Sequence, residues 1–544
     1  MSFNNSPGVF GRLVDQSFVV SSAGLLAGGI VISSKRGSTD VVTVTSAKEF
    51  LDLYGIPSSD NPSMYSALRF LNRAGTLSVK RVINDAVAAS GTLKLFGFDS
   101  QGNVLDVVND PSTITPTDGQ VVQVGLEPVG DFADFAGQIA TYVELSTSWE
   151  FVEQEDHLVI NADNEGSWGN SVSVEIVDLA DAPAGVFGVT VYESGEVVEE
   201  FEVSRDPNAK NGFGNNIYIE NVINNRSRYI NVNDNPSVVT SVPYTVGTTS
   251  LTGGSDDTVA PTSGDLVLAW DDFLNTNSVP ANLLINAGWA TPEVQSKMLA
   301  VAEARKDAVA ILDIPEDTAQ SVSAMIEYRK VTLAANTEYG GIYGGWLRIY
   351  DAYNDKEVTI PSSGDVAAVF EYTVEVANRW DAPAGLQRGI IPNALGVSKV
   401  LTEGERDQLY LAGINPVTTY GGASAVVWGQ KTLQVQASAL DRFNVVNSII
   451  WINGRMVEAL QPFVFEPNTV STRDNINFLL TSFLENIQLQ GGLYEFFVDT
   501  STDINTPQVI DNNQLLVDVF LKPTRTAEFI RVSTIITPTG VQLG

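Results

Sequence analysis

The chain has 544 residues, more than a single hydrophobic core usually serves, so several domains are expected. Hydrophobic residues make up 44% of it and charged residues 18%, which is typical of folded rather than disordered proteins. The chain contains no cysteine, which excludes disulfides, thiolate metal sites and a cysteine nucleophile.

The charge is strongly negative and unevenly distributed. Lysine and arginine number 31 against 65 aspartates and glutamates, and the net charge of -34 opposes nucleic-acid phosphates and anionic membrane surfaces. Residues 89–257 hold 27 acidic against 5 basic residues, whereas residues 401–544 hold 14 against 8. We interpret the middle as a solvated exterior and the C-terminal third as a place where surfaces meet. The alternative, a soluble acidic domain beside a neutral one, stays open.

The N-terminal stretch Gln16–Ser34 is uncharged and long enough to raise the question of a transmembrane helix. Serines and glycines interrupt its apolar run, and no basic region precedes it as in a signal peptide. We therefore predict no direct membrane insertion, and an extended arm over residues 1–28 that leads into a strand at Gly29–Ile32.

Residues 29–88 alternate strand and helix signals. Val41–Thr45 is a β-branched run, and Ser46 followed by Glu49 predicts a capping box at the start of a helix that ends at Gly55. The signals that follow predict a second helix opened by Asn61-Pro62, a left-handed cap at Gly75 and a strand at Leu77–Ile83. This order indicates an α/β unit.

Residues 89–257 change character, with β-branched alternation, frequent Gly, Asn and Asp, and a weak helix signal near Asp131–Tyr142. We predict two β-rich insertions here, a variable one at 89–157 and a second at 158–257. Such an insertion is sterically simple if its junctions, near Asp85 and Gly264, lie close together.

From Gly264 the alternation resumes and predicts a mostly parallel sheet covered by helices. Residues 29–88 and 258–400 would form one discontinuous α/β middle domain. The predicted strands are Ala281–Asn286, Ala308–Ile314 and Trp346–Tyr350, and the predicted helices begin after Thr291, with Pro292 at the first helical position, and cover Asp317–Leu333.

Residues 401–544 repeat the pattern and are expected to form a C-terminal domain. Thr402 and Glu405 predict a second capping box, Gly413 a helix end and Ser424–Trp428 a strand. Apolar residues at helical spacing over 476–487 predict a helix with one buried face. Two strands are predicted at the end, Leu515–Leu521 and Glu528–Ile536.

Residues that could carry chemistry are sparse. The single histidine, His157, has no second His or Cys with which to bind a metal or activate a nucleophile, so we interpret it as a loop residue. The run Gly340–Gly345 lacks the Lys-Ser/Thr of a phosphate-binding loop and is interpreted as a flexible turn. Asp271-Asp272 fits a helix start, and Asn161–Gly166 lacks the acid that closes a calcium loop. We predict no catalytic or metal site and no cofactor.

Several blocks, taken in order, resemble contractile tail sheath proteins of large bacteriophages. The opening at Ser6–Val9 and the run to Val82 resemble the start of such proteins. Further blocks are GDLVLAWDDF, VPANLLINAG, NRWDAPAGLQRG, ERDQLYLAGINPV, AVVWGQKTL and FVFEPN, which begin at residues 264, 279, 378, 405, 425 and 463. The resemblance covers nearly all of the chain outside residues 86–157.

The resemblance implies a structural subunit, not an enzyme, that polymerises as stacked hexameric rings around a tail tube and contracts to drive the tube through the host envelope. Its partners would be further copies of itself, the tail tube protein, and baseplate and tail terminator proteins. It would assemble in the host cytoplasm and reside in the virion tail sheath. The implied fold class is α/β and α+β multidomain, with an inner α/β domain from both chain ends and β-rich domains inserted in the middle.

The resemblance also assigns residues. Terminal arms would add strands to sheets of neighbouring subunits through Pro7, Gly8, Val9, Phe10, Ile530, Val532 and Ile536. WDAPAG and FVFEPN combine aromatics with Pro or Gly, which predicts locked, buried loops. Arg388 and Arg406 are expected to pair with carboxylates on this or another subunit. The remaining structural motif residues are Trp380, Pro383, Ala384, Gly385, Gly389, Asn415, Pro416, Phe465, Glu466 and Asn468.

Two functions from other classes remain as alternatives. A secreted, carboxylate-based glycoside hydrolase is favoured only by the acidic insertions and the eight tryptophans. A β-rich surface adhesin is the other.

Overall fold

The computed structural model describes residues 26–93, 106–108, 115, 120–124, 139–143, 148–152, 158–177, 179, 182–183, 185–235, 248–529 and 531. Its fold is mixed α/β with several sheets, as predicted. The twelve described α-helices are α1 (Ala47–Tyr54), α2 (Pro62–Leu71), α3 (Ile219–Arg226), α4 (Ser263–Ala269), α5 (Pro292–Arg305), α6 (Val322–Glu327), α7 (Ser363–Val376), α8 (Gly385–Arg388), α9 (Glu403–Leu411), α10 (Phe443–Leu460), α11 (Val470–Leu489) and α12 (Pro507–Asp511).

The strands fall into six sheets. In chain order the described strands are β1 (Gly28–Ile32), β2 (Val41–Val44), β3 (Leu77–Arg81), β4 (Ser90–Leu93), β5 (Asp106–Val108), β6 (Val121–Val124), β7 (Ile139–Val143), β8 (Ser148–Val152), β9 (Leu158–Ala162), β10 (Val172–Val177), β11 (Val186–Glu193), β12 (Glu196–Ser204), β13 (Ile230–Asp234), β14 (Thr248–Ser250), β15 (Leu283–Ile285), β16 (Val309–Asp313), β17 (Gly340–Gly344), β18 (Trp346–Asp351), β19 (Lys356–Pro361), β20 (Gly396–Val397), β21 (Ile414–Tyr420), β22 (Ala423–Val427), β23 (Leu493–Asp499) and β24 (Asp518–Pro523).

An eight-stranded sheet of order β2-β3-β1-β15-β16-β17-β21-β22 forms the centre. Its six inner strands are parallel, and antiparallel strands β2 and β22 lie at its two edges. Successive side chains point to opposite faces, so Ile30 and Ile32 pack with α2 and α7, whereas Val31 packs with α4 and α5. Both faces of this mostly parallel sheet are therefore covered, as predicted, and the side chains of its inner strands are largely buried.

Local signals place most helix ends correctly. Thr402 and Glu405 make both bonds of a capping box at α9, and Pro62 and Pro292 occupy the first position of α2 and α5. At α1 the box is half formed, because Ser46 caps Glu49 while the Glu49 carboxylate bonds Thr45 instead. The predicted helix Asp317–Leu333 is broken into a 3-10 turn, α6 and a π-helical turn.

Three further predictions are wrong. Gly75 is not a left-handed cap, because α2 already ends at Asn72, whose N–H bonds the Leu68 carbonyl. Residues 139–142 belong to strand β7, paired with β8, and not to a helix. Gly340–Gly344 is not a flexible turn but the buried strand β17, in which glycine leaves room for the neighbouring Phe443 ring.

The chain enters the β-rich region and returns from it at one place, where the two passages are bonded to each other. Asp257 Oδ1 accepts the N–H groups of Asn84, Asp85 and Ala86 at 2.8–2.9 Å, and Asp85 accepts the N–H of Thr258. Beside it the buried Arg81 donates to the carbonyls of Ser34, Gly37 and Glu165. The two junctions therefore lie against each other. Glu165, in the segment 161–166, takes part in this contact through its carbonyl.

The sheets of this region cross the expected boundary at residue 157. Strand β4 pairs with β9, which pairs with β13, while β10, β11, β12 and β14 form an antiparallel sheet. Helix α3, which the sequence pattern did not reveal, packs on β13 and β12 around Val222 and Ile223. Strands β5–β8 form a further four-stranded sheet.

Within the C-terminal region, β21 and β22 complete the central sheet, and the residues that follow add helices α10 and α11 and a hairpin-like sheet. The predicted apolar face of α11 is buried, with Ile476, Leu480, Leu484 and Ile487 packed on α10 and on strand β23. Strand β24 covers Asp518–Pro523, close to the predicted Leu515–Leu521. Of the predicted strand Glu528–Ile536, Glu528 and Phe529 are not in a strand, and most of the rest lies outside the described residues.

Candidate functional site

Leu26 and Ala27, at the end of the predicted N-terminal arm, are bonded to the core. The Leu26 N–H donates to Glu371 Oε2 at 2.6 Å, and the Ala27 N–H donates to Asn282 Oδ1 at 3.3 Å, immediately before β1 begins. Burial raises the pKa of Glu371, while the bond from Leu26 and the nearby Arg379 lower it. The predicted arm residues Pro7, Gly8, Val9 and Phe10 lie outside the described residues.

A cluster of side chains surrounds Glu528, the first residue of the predicted C-terminal arm strand. Arg442 donates to both of its carboxylate oxygens, at 2.7 and 2.9 Å, and Tyr410 Oη donates at 2.8 Å. Gln430 Nε2 adds bonds to Glu528 at 3.3 Å and to Thr526 at 2.7 Å. We call these four side chains, Tyr410, Gln430, Arg442 and Glu528, the arm clamp. Ile530, Val532 and Ile536, the predicted arm strand, lie outside the described residues.

The electrostatics of the arm clamp favour the charged carboxylate. Burial would raise the pKa of Glu528, but the bonds from Arg442 and Tyr410 outweigh it and hold this pKa below its ordinary value. Burial likewise opposes the charge of Arg442, yet the bond to Glu528 keeps the pKa of Arg442 raised. Charge-assisted, bidentate pairs of this kind are the strong ones.

Two of the resembling sequence blocks meet at this clamp. Asn415 Oδ1 accepts the Lys431 N–H at 2.6 Å and its Nδ2 donates to the Lys431 carbonyl at 2.7 Å, which joins block 405–417 to block 425–433. Lys431 Nζ in turn donates to the Tyr410 carbonyl at 2.7 Å. Pro416 lies in β21, where its carbonyl accepts the Trp428 N–H. Sequence analysis missed Glu528, Arg442 and Gln430, since no fixed spacing connects them.

The WDAPAG block is a packed loop, as predicted. Trp380 is buried against Trp451, at a ring distance of 6.4 Å, and its carbonyl accepts from Asn444. Pro383 is buried and Ala384 half-buried. Gly385 has φ +82° at the start of α8, and a Cβ on Gly389 would lie 2.7 Å from the Gly385 nitrogen.

The two motif arginines have different surroundings. Arg388 donates from Nε to the Ala382 carbonyl and lies 3.8 Å from Asp381, so a carboxylate of its own chain is near. Arg406 lies over the Tyr420 ring at 4.9 Å, and no ion pair to it is found among the described residues.

The FVFEPN block is not buried. Phe465 is fully exposed with φ +73°, and Glu466 is exposed as well. The loop is nonetheless held in place, because Arg473 Nη1 donates to Asn468 Oδ1 at 2.7 Å and Asn468 Nδ2 donates to the Gln514 carbonyl at 2.8 Å. A locked loop therefore presents a bare phenyl ring to its surroundings.

Exposed apolar side chains concentrate in the same C-terminal region. Of the six exposed phenylalanines among the described residues, five follow residue 460, namely Phe465, Phe478, Phe497, Phe520 and Phe529. Exposed apolar surface is a mark of interaction sites in soluble proteins when it is clustered, as it is at Phe497 and Phe520. Together with the low net charge counted for residues 401–544, it identifies this region as the candidate assembly surface.

Strands β23 and β24 lie on this surface as an isolated antiparallel pair. Phe497 faces Phe520 across the pair with ring centroids 6.1 Å apart, and both rings are exposed. In the described part of the chain neither strand has a second partner. A two-stranded sheet is marginally stable alone, and its free edges offer unpaired amides and carbonyls to further strands.

The described residues that were weighed for catalysis or metal binding do not form a common site. Asp271 pairs with Lys297 and Asp272 with Lys80, which makes them structural ion pairs on the helix α4 side of the sheet. Within the described ranges no cluster of three His, Asp or Glu side chains could hold a metal ion, and His157 lies outside those ranges. None of the described helices is both long and apolar enough to cross a membrane.

Comparisons with known proteins indicate the same family as the resemblance of the sequence blocks. A family model for the phage tail sheath protein central domain matches residues 260–433, and one for the phage tail sheath C-terminal domain matches residues 435–537. The tail sheath protein of Vibrio phage KVP40 is 26% identical over 501 residues, which are 78% of this chain and 74% of that protein. That of Enterobacteria phage T4 is 27% identical over 428 residues, which are 69% of this chain and 64% of its own length.

Solved structures show the same fold at low identity. The sheath tail protein of Listeria innocua has a TM-score of 0.56 with 12% identity, covering 92% of this chain and 96% of its own. The helical sheath of the anti-feeding prophage in its contracted state has a TM-score of 0.53 with 13% identity, covering 98% and 99%. Since the two family models together cover 277 of the 544 residues, the chain belongs to the phage tail sheath protein family.

Proposed function

We propose that the chain is the subunit of a contractile tail sheath. Copies would polymerise as stacked hexameric rings around a tail tube, and the polymer would contract to drive the tube through the host envelope. Further partners would be baseplate and tail terminator proteins, with assembly in the host cytoplasm and residence in the virion tail. The observation that carries the proposal is the exposed apolar surface of the C-terminal region, beside two free strand edges.

The terminal arms would supply the missing strands. The segment Pro7–Phe10, predicted from the sequence to be extended, is poorly suited to fold on itself, because Pro7 fixes one backbone angle and donates no hydrogen bond. Added to β23 or β24 of a neighbour, an arm would gain backbone hydrogen bonds and would cover the Phe497 and Phe520 rings. The bonds that tie the inner end of each predicted arm to the core support this role, since a link that bears force must be anchored in the core at its origin.

We also propose how the chain divides into domains within the sheath. Residues 29–88 with 258–400, and residues 401–544, would form the inner assembly part. Residues 89–157 and 158–257 would lie outside as acidic insertions, and residues 1–28 would be an arm. The bonds at Asp85 and Asp257 support insertion, because both chain passages leave the central sheet at one place. Acidic outer insertions would keep the polymer soluble.

Contraction in this proposal needs no nucleotide. It would exchange one set of subunit contacts for another of lower free energy, as in other rigid-body rearrangements at interfaces. The protein would have no catalytic site and no cofactor. A glycoside hydrolase is less well supported, since the neighbouring carboxylates Asp271 and Asp272 are each paired with a lysine.

Imaging tests the proposal directly. Purified protein, concentrated in stages, should form striated tubes of uniform diameter in negative-stain micrographs. A chain lacking residues 490–544, which removes the β23/β24 pair and the C-terminal arm, is the control and should form none. Persistent monomers of the full chain, with or without a tube protein, would contradict the proposal.

A further inference from the structure

A cleft of about 680 Å³ opens between α2, α7 and the segment after α8. Three arginines line it, Arg69, Arg73 and Arg388, in a chain whose net charge is -34. A local concentration of guanidinium groups on so acidic a protein focuses attraction for negative charge at one point.

Arg69 belongs to the wall of the cleft. Its Nε donates to both oxygens of Asp365, at 2.9 and 3.0 Å, and its Nη2 donates to the Pro392 carbonyl at 2.5 Å. Asp365 is buried and its negative charge is matched by this pair. Arg69 is therefore committed within the chain and stiffens the cleft.

Arg73 is not committed in this way. Its guanidinium lies 3.9 Å over the Tyr372 ring, and Nη1 donates to the Ile390 carbonyl at 3.0 Å. No carboxylate lies within ion-pair distance of it in the described part of the chain. The stacking fixes the plane of the guanidinium, so its remaining N–H groups are oriented in advance.

Arg388 completes the cleft from the opposite side. Its Nε is bonded to the Ala382 carbonyl, and its nearest carboxylate, that of Asp381, is 3.8 Å from Nη2, too far for a hydrogen bond. Ile390, which lines the cleft and is exposed, adds an apolar side chain to it. A carboxylate next to an apolar side chain matches these features.

We propose that this cleft binds a carboxylate on an acidic segment of a second copy of the chain. Every copy carries 65 acidic residues, so neighbours in an assembly bring the complementary charge with them. The nearby carboxylates Glu375 and Asp381 and the overall charge of -34 disfavour a polyanion such as nucleic acid, and favour a single carboxylate. The inference rests on the proposed self-assembly and names one contact within it.

The test uses the full chain, with Arg73→Gln, Arg388→Gln and the double variant. The single variants should raise the protein concentration at which tubes form by about tenfold each, the usual effect of losing one charge-assisted bond at an interface. Arg73→Lys and Arg388→Lys keep the charge but lose the planar fork. They should therefore weaken assembly less than the glutamine variants do. Arg348→Gln is the matched control, because Arg348 is exposed on β18, outside the cleft, and pairs with Glu357.

Two further readouts separate the cleft from general folding. A photo-crosslinking residue placed at Gln387, which lines the cleft, should link to an Asp- or Glu-containing peptide of another copy only in assembled material. Raising the salt concentration should weaken wild-type assembly more than that of the double variant, because the pair is screened. Circular dichroism and the thermal midpoint confirm that each variant is folded.

The outcomes are distinct. Tubes from the wild type and weakened tubes from the folded cleft variants, together with the intermolecular crosslink, support the cleft contact. Unchanged assembly of the cleft variants, absence of the crosslink, or binding of inorganic phosphate without any effect on assembly would overturn it while the sheath function stands. Failure of the wild-type chain to associate under any condition would overturn both.

Discussion

Gly341 is a position of close approach in the central sheet. A Cβ there would lie 2.3 Å from Phe443 Cε2 and 2.8 Å from the Lys431 carbonyl oxygen. We expect Gly341→Ala to destabilise the folded chain by about 1–3 kcal/mol through overpacking, which is seen as a lower thermal midpoint of the monomer.

Gly454 is the matched control for Gly341. It lies inside α10, where a Cβ would meet nothing within 4 Å, so Gly454→Ala should stabilise by roughly 0.5–1 kcal/mol through helix propensity. Equal effects of the two substitutions would show that room for the Phe443 ring is not the reason for glycine in β17.

Asp313 is a buried carboxylate at the end of β16. Ser363 donates to it from both N–H and Oγ, and Gly288 donates its N–H, while no cation lies within ion-pair distance among the described residues. Burial raises its pKa to about 6, although these hydrogen bonds lower it. Its folded-state pKa therefore exceeds the unfolded value of 3.8, and the folded chain holds the proton more tightly.

The pH dependence follows from that sign. Asp313 stabilises the fold most below about pH 4, and its contribution falls by about 3 kcal/mol at most as the pH rises through 6. We expect the thermal midpoint of the wild type, relative to that of Asp313→Asn, to decrease between pH 4 and 6 and to stay level above. A constant difference across this range would contradict the prediction.

At the scale of elements, the arm clamp ties the segment before the predicted C-terminal arm strand to the core. Glu528→Gln removes the charge from four bonds and should loosen this segment by about 2–3 kcal/mol. We expect faster amide hydrogen exchange over residues 524–529 with little change in the thermal midpoint. In the wild type the same loosening should occur as the pH falls through the folded pKa of Glu528, which lies below its ordinary value.

Glu495→Gln is the control for this clamp. Glu495 pairs with Lys522 at 3.5 Å with both side chains largely exposed, so its loss should change little. Equal exchange over residues 524–529 in the Glu528 and Glu495 variants would show that the clamp does not hold this segment.

At the scale of the whole molecule, assembly should depend on both arms. Deleting residues 1–15, or substituting Val532→Pro, should leave a folded monomer by circular dichroism and sedimentation but abolish tubes, because proline removes a donor from the added strand. Deleting residues 1–4 alone spares Pro7–Phe10 and should leave assembly intact. Ordered tubes from either arm variant would mean that this arm does not link subunits.

The acidic insertion should be dispensable if it is cut at the right place. Strand β4 pairs with β9, so a short Gly/Ser bridge should replace residues 94–157 and spare Ser90–Leu93. We expect that protein to stay soluble and to polymerise, since the removed part contributes decoration and charge. Excision from residue 89 should be worse, because it exposes an edge of β9. Aggregation of both variants alike would contradict an independent insertion.

The sequence by itself determined the features that depend on neighbours in the chain. The capping box at Thr402 and Glu405 and the prolines that open α2 and α5 act within one helical turn, so spacing alone predicts them. Strand β1 is apolar throughout, and β16 is apolar up to its last residue, Asp313, because both faces of the sheet are covered. The order of the motif blocks was enough to indicate the family, which the family models and the relatives confirm.

Only the tertiary structure decided the features that join distant residues. Glu528 meets Arg442 across 86 positions and Tyr410 across 118, distances at which no sequence period operates. Gly340–Gly344 is a strand because it pairs with β16 and β21, although glycine locally favours a turn. Glycine is needed there because Leu299 and Phe443 occupy the space that side chains would fill. The composition of the FVFEPN block suggested a buried loop, but Phe465 is exposed. The bonds of Asn468 hold this loop on the outside of a core that α10 and α11 already fill.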